Sequence, residues 1–138
     1  MPLTLTLTEG VLPENAIPQA VARLTDAFLE QHGLAGNEVM TRNVTVHVNI
    51  LPKGTTFAGG EEIAGAWIET KTPSFALADP AVKSNFFMDA TRIIHTLSGG
   101  KLPVEHIWSN AVHTVDGTWN IDGQVMTNSE IGEALSKG

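Results

Sequence analysis

Cysteine and tyrosine are both absent from the 138-residue chain. Without cysteine there is no disulfide framework, thiol nucleophile or thiolate metal site, and without tyrosine no phenol can serve as acid or donor. Basic residues are scarce. Eight Lys and Arg against 15 Asp and Glu give a formal charge of −7, with no basic stripe to neutralise phosphates, which argues against nucleic acid as a partner. No apolar run approaches the roughly 20 residues that a membrane span needs. Nor does the amino terminus carry a basic segment followed by an apolar one, so a cytoplasmic location is expected. His32, His47, His95, His106 and His113 show neither H-x-x-x-H nor H-E-x-x-H spacing, so no metal site is expected. Gly59-Gly60 is not a phosphate loop, because no Lys-Ser/Thr follows it. No cofactor is implied.

What is present is an ordinary globular composition, 42% hydrophobic and 17% charged. One domain spanning 1–138 is long enough to bury a core. Pro2 stands out. It lies directly behind Met1 and opens the segment Leu3-Thr4-Leu5-Thr6-Leu7-Thr8. A small second residue permits removal of the initiator methionine, which would leave a secondary amine at the mature terminus. A free α-amino group has a pKa of about 7.7–8.0, and an apolar pocket lowers it by disfavouring the charged form. A base poised near the working pH suits proton transfer. With Met1 in place the nitrogen is an amide, and this chemistry is lost.

The pattern predicts two similar β-α-β halves, about 1–62 and 63–138. Leu3, Leu5 and Leu7 alternate with threonines, a half-buried strand. Asn15 is expected to cap a helix with Pro18 in its first turn and an apolar stripe of Ile17, Ala20, Val21, Leu24 and Phe28. Gly33 to Gly36 end that helix, and Val44, Val46, Val48 and Ile50 form a second alternating strand. In the second half, Ala66–Thr70 reads as a short strand. Asp79-Pro80 is a helix start, with a stripe of Val82, Phe86, Ala90, Ile93 and Leu97 stopped by Gly99-Gly100. His106–Val112 is the matching strand, and Asp122-Gly123 closes a hairpin between Trp119–Ile121 and Gln124–Met126. The expected class is α+β: a four-stranded sheet with both helices on one face. Thr4, Thr6, Thr45, His47 and Asn49 fall on the opposite face.

This plan, together with Pro2, resembles the tautomerase superfamily, whose members use an amino-terminal proline on a β-α-β scaffold. Within it, Pro52-Lys53-Gly54-Thr55-Thr56-Phe57-Ala58-Gly59-Gly60 is similar to the P-x-G-x-x-F-x-G-G segment of proteins like cis-3-chloroacrylic acid dehalogenase. The segments Ala20–Ala27 and Glu105-His106-Ile107-Trp108 resemble that branch too. The resemblance implies a fused two-unit chain, a homotrimer, and a small carboxylic or oxo acid as substrate. It breaks at the partner residues. Family arginines clamp a carboxylate bidentately, but Val11, Thr45 and Glu69-Thr70-Lys71-Thr72 stand where they would lie. Phe28, Asn110 and Ile121 stand in the places of the dehalogenase histidine, tyrosine and glutamate. Hydrolytic dehalogenation by that branch's mechanism is therefore not expected.

The expected function is a tautomerase (isomerase) with Pro2 as general base on a small 2-oxo acid or enol. Lys71 is the nearest cation to the expected carboxylate site, Asn110 can donate or accept, and Glu69 is either a site carboxylate or the partner of Lys71. Phe57 and Trp119 are expected to wall the pocket. His47 reads as a hydrogen-bonded interface residue. Two alternatives stay open. One is a catalytically degenerate trimer that binds a ligand or partner; the other is a decarboxylase or hydratase with Pro2 as acid.

Overall fold

The computed structural model describes residues 1–138. Strands β1 (Pro2–Thr8), β2 (Thr45–Leu51), β5 (Ala66–Pro73) and β6 (Ile107–Thr114) form one sheet in the order β2-β1-β5-β6. β1 and β2 run parallel, as do β5 and β6, and the two pairs meet through an antiparallel β1–β5 ladder. Each parallel pair needs a long crossover. Helix α1 (Ile17–Gln31) with the short α2 (Glu38–Asn43) supplies the first, and α3 (Pro80–Leu97) the second.

The alternation in β1 decides which face is buried. Leu3, Leu5 and Leu7 are almost wholly enclosed, against Ala20, Leu24 and Phe28 of α1 and Phe86, Ala90 and Ile94 of α3. Phe28 and Phe86 meet edge to face, with centroids 5.5 Å apart and planes at 90°, a favoured aromatic geometry. Phe28, at the position of the dehalogenase histidine, is therefore core. The buried row of α3 runs through Ile94, while Ile93 and Leu97 flank it half-buried.

Several boundaries differ from the sequence expectation. Asn15 does not cap α1. It lies inside a 3-10 turn, Glu14–Ala16, and Ala16 takes the cap position with Pro18 in the first turn. Asp79 does cap α3, accepting from the Ala81 and Val82 amides. β5 continues past Thr70 to Pro73, because its parallel ladder with β6 extends to the Pro73–Thr114 pair. His106 belongs to a 3-10 turn, and β6 starts at Ile107. The turn that follows β5 puts Leu77 in the left-handed region (φ 57°). It is held by its amide donating to His32 Nε2 at 2.9 Å and by His113 Nε2 against the Ala76 carbonyl at 2.8 Å.

Three elements have no counterpart in the sequence expectation. A small hairpin pairs β3 (Phe57–Ala58) with β4 (Glu61–Glu62). α2 is capped by the Asn37 side chain, which accepts from the Met40 amide at 2.9 Å. The chain ends in α4 (Asn128–Ser136), opened by a capping box between Thr127 and Glu130. Before it, β7 (Trp119–Ile121) and β8 (Gln124–Met126) form the expected hairpin. Asp122 and Gly123 both have positive φ (53° and 80°), as a type I′ turn requires. No helix is long and apolar enough to cross a membrane.

Candidate functional site

β1 buries its odd residues, so Pro2, Thr4 and Thr6 face the side of the sheet that carries no helix. Register then sets the rows across that face. His47, Thr4, Glu69 and Asn110 lie side by side on four strands, and Asn49, Thr6, Trp67 and Trp108 form the next row. In the row at the start of β1, Thr45 pairs with Pro2, and Lys71 and Val112 pair on the far side. A cavity of about 480 Å³ opens on this face, lined by Pro2, Thr4, His47, Glu69, Lys71 and Asn110. Four of the six expected site residues (Pro2, Glu69, Lys71 and Asn110) thus share one cavity.

The polar groups here are only partly committed to one another. Asn110 Nδ2 donates to Glu69 Oε1 at 3.3 Å, while Asp89–Arg92 is the single ion pair in the molecule. Glu69 is therefore paired with Asn110 rather than with Lys71, and the Lys71 ammonium is in no ion pair. His47 lines the cavity without a hydrogen-bond partner in the chain.

Phe57 and Trp119 do not wall this cavity. Phe57 sits on the β3–β4 hairpin and is 57% exposed. Its sequence neighbourhood puts it after β2, at the opposite end of β1 from Pro2. Trp119 lines a different, apolar cavity of about 170 Å³ at the start of β1, together with Met1, Met40, Arg42, Ile121 and Ile131. That second cavity contains the residues that sequence reasoning missed. Its walls come from α2, β7, β8 and α4, so no local pattern identified it.

Met1 forms one wall of that cavity and is only 6% exposed. Its ammonium donates to the Asn43 carbonyl, and its own carbonyl accepts from the Thr45 amide at 3.2 Å. Burial strips water from the amino group and lowers its pKa from 8.0 to about 6. The surroundings of the Met1 amino group therefore disfavour its protonated form. The indole Nε1 of Trp119 is buried with no hydrogen-bond partner, an uncommon state for a buried donor. No group of three or more His, Asp and Glu side chains converges as a metal site.

No protein-family model and no curated protein matches the sequence. Solved structures do match the fold. N1, a member of the cis-3-chloroacrylic acid dehalogenase family, aligns over 100% of both chains with a TM-score of 0.75 at 16% identity. Pt0534 inactivated by 2-oxo-3-pentynoate aligns over 96% of this chain and 99% of its own, with a TM-score of 0.77 at 16% identity. The Q0 fused 4-OT, a symmetric trimer, aligns over 96% and 99%, with a TM-score of 0.75 at 13% identity. At such identities the likeness establishes the fold, and that fold is the one of the tautomerase superfamily, with Pro2 at the head of its first strand.

Proposed function

We propose that this protein, once Met1 is removed, is a tautomerase that uses the Pro2 amine as general base on a small 2-oxo acid or its enol. The observation that carries the reading is the placement of Pro2. It heads a central strand and faces a cavity with an unpaired lysine, an asparagine and a carboxylate. Pro2 takes a proton from the enol oxygen or from carbon and returns it at the other position. Lys71 and the free amide hydrogen of Asn110 hold the negative oxygen that develops. The substrate class is supported by the fold neighbour inactivated by a 2-oxo acid, and a homotrimer by the symmetric trimer of another.

The test is ketonisation of phenylenolpyruvate by protein whose intact mass shows Met1 removed. Pro2→Ala, which keeps a processable second residue, should lose at least about 100-fold in kcat/KM, as loss of a general base does. Equal rates for the two proteins would remove Pro2 from the chemistry.

A second reading, a tautomerase-fold binder without catalysis, is favoured by one observation. With Met1 present the Pro2 nitrogen is an amide, and Met1 is well seated. Retention of Met1 in the purified native protein would select this reading.

A further inference from the structure

The Met1–Pro2 bond, whose hydrolysis frees the Pro2 amine, is covered by the part of the chain that is made last. Met1 is 6% exposed. Its amino group donates to the Asn43 carbonyl, and its carbonyl accepts from the Thr45 amide at 3.2 Å, so both ends of the residue are tied to the α2–β2 junction. Trp119, Ile121, Met126, Ile131, Ala134 and Leu135, all from β7, β8 and α4, line the cavity beside its side chain. α4 is fastened at both ends. Asn128 Nδ2 donates to Ser74 Oγ and the Asn128 amide to Asp116 Oδ1, each at 2.7 Å. At the other end Asn37 Nδ2 donates to the Leu135 carbonyl at 2.8 Å. Between them Ile131, 2% exposed, is the buried anchor.

We propose that the β7–β8 hairpin and α4 act as a lock on methionine excision: Met1 is removable while these elements are undocked, and a chain that folds with Met1 in place keeps it until they open. An aminopeptidase draws the amino terminus of its substrate into its own cleft. Met1 and Pro2 must therefore leave the Asn43 and Thr45 bonds, and the covering elements must lift. Hydrolysis then breaks the C–N bond between Met1 and Pro2. The hydroxyl of the attacking water joins the Met1 carbonyl carbon, and its proton joins the Pro2 nitrogen. Chain order sets the timing. Residues 119–136 emerge last, so Met1 stays uncovered for most of a synthesis lasting roughly 7–28 s at about 5–20 residues per second. After that, excision depends on local opening. α4, a nine-residue surface helix with one buried side chain, is the element expected to open first. The lock governs access to the amine under either reading of what that amine does.

The test uses the full chain, made while its aminopeptidase is inhibited so that intact mass shows Met1 retained, and then treated with purified methionine aminopeptidase. The native protein should lose Met1 at least about 100-fold more slowly than a free peptide of residues 1–8, because only the opened fraction is a substrate. Asn128→Ala removes the tie to Ser74 and should speed excision several-fold; Ile131→Ala removes the anchor and should speed it further. If Ile131→Ala fails to fold, urea below the unfolding transition serves instead, raising the rate for the parent protein and not for the peptide. Excision from the native protein at the peptide's rate, or a rate that neither substitution nor urea raises, would overturn the lock. Protein that loses Met1 on opening but does not ketonise phenylenolpyruvate would uphold the lock and sink the tautomerase reading. Ketonisation by protein that sheds Met1 freely in its native state would do the reverse.

Discussion

Two cavities meet at the Met1–Pro2 peptide, and they are made of opposite materials. On the helix-free face of the sheet, Glu69, Lys71, His47 and Asn110 line an open space of about 480 Å³. At the end of the strand, Met1, Met40, Trp119, Ile121, Ile131 and Leu135 line a smaller apolar one. The polar cavity is built by sheet register alone, so its side chains stand in water and contribute little to stability. The apolar cavity is built by packing of α2, the β7–β8 hairpin and α4, so its walls are also part of what holds those elements down. The Pro2 nitrogen lies between the two, with polar side chains on one side and apolar walls on the other.

The sharpest way to break this comparison is to truncate one residue from each wall. Trp119→Ala should cost about 3 kcal/mol in denaturant unfolding, the lower end of the range for removing a Trp, because the residue is half-buried. Asn110→Ala, on the exposed wall, should stay within about 0.5 kcal/mol of the parent. Comparable losses would mean that the two walls are energetically alike.

Gly65→Ala tests the aromatic row on the open face. Trp67 and Trp108 stack with centroids 5.2 Å apart, and a Cβ at Gly65 would come within 3.1 Å of Trp108, 3.2 Å of Trp67 and 3.3 Å of the His106 carbonyl. The backbone oxygen cannot yield, so a loss of about 1–3 kcal/mol is expected, typical of overpacking. Near-UV circular dichroism should report the disturbed stack, and an unchanged spectrum would contradict the geometry.

Met1 itself provides a pH test. Its folded-state pKa, about 6, lies below the unfolded 8.0. Between these values the unfolded chain holds more protons than the folded one, so stability rises with pH across the window of about 6 to 8 and is level outside it. Protein retaining Met1 should therefore melt at a lower temperature at pH 6 than at pH 8, by more than Met1-free protein does. The smallest stability effect belongs to Lys71→Ala, an exposed and unpaired side chain. Its melting temperature should be unchanged, while KM for an enol carboxylate rises several-fold and the salt dependence of KM weakens. An unchanged KM would remove Lys71 from the site.

The polar half of the candidate site was legible because it depends on strand periodicity. Alternation in Leu3–Thr8 assigns faces without knowledge of the rest of the chain. Pro2, Lys71 and Glu69 then follow once β1 and β5 are neighbours. The apolar half was not legible. Trp119 was expected beside Pro2 but reaches Met1 instead, through a hairpin whose turn, Asp122-Gly123, reveals its shape and not its docking place. Arg42 carried no motif, since only the short helix ahead of β2 brings it to the amino terminus. A signal for α4 did exist: Thr127-Asn128-Ser129-Glu130 has the capping-box spacing that the structure realises.

By itself, then, the sequence determined what local physics encodes: the period of two in β1, the Asp79 cap, the Asp122-Gly123 turn and the peculiar placement of Pro2. Tertiary structure alone decided that Phe57 stays exposed, that Glu69 bonds Asn110 instead of Lys71, and that residues from α2, β7 and α4 close around Met1. The reason is one of range. A strand face or a helix cap depends on residues a few positions apart, whereas a cavity wall assembled from Arg42, Trp119 and Ile131 exists only after long loops have closed and the core has chosen its packing.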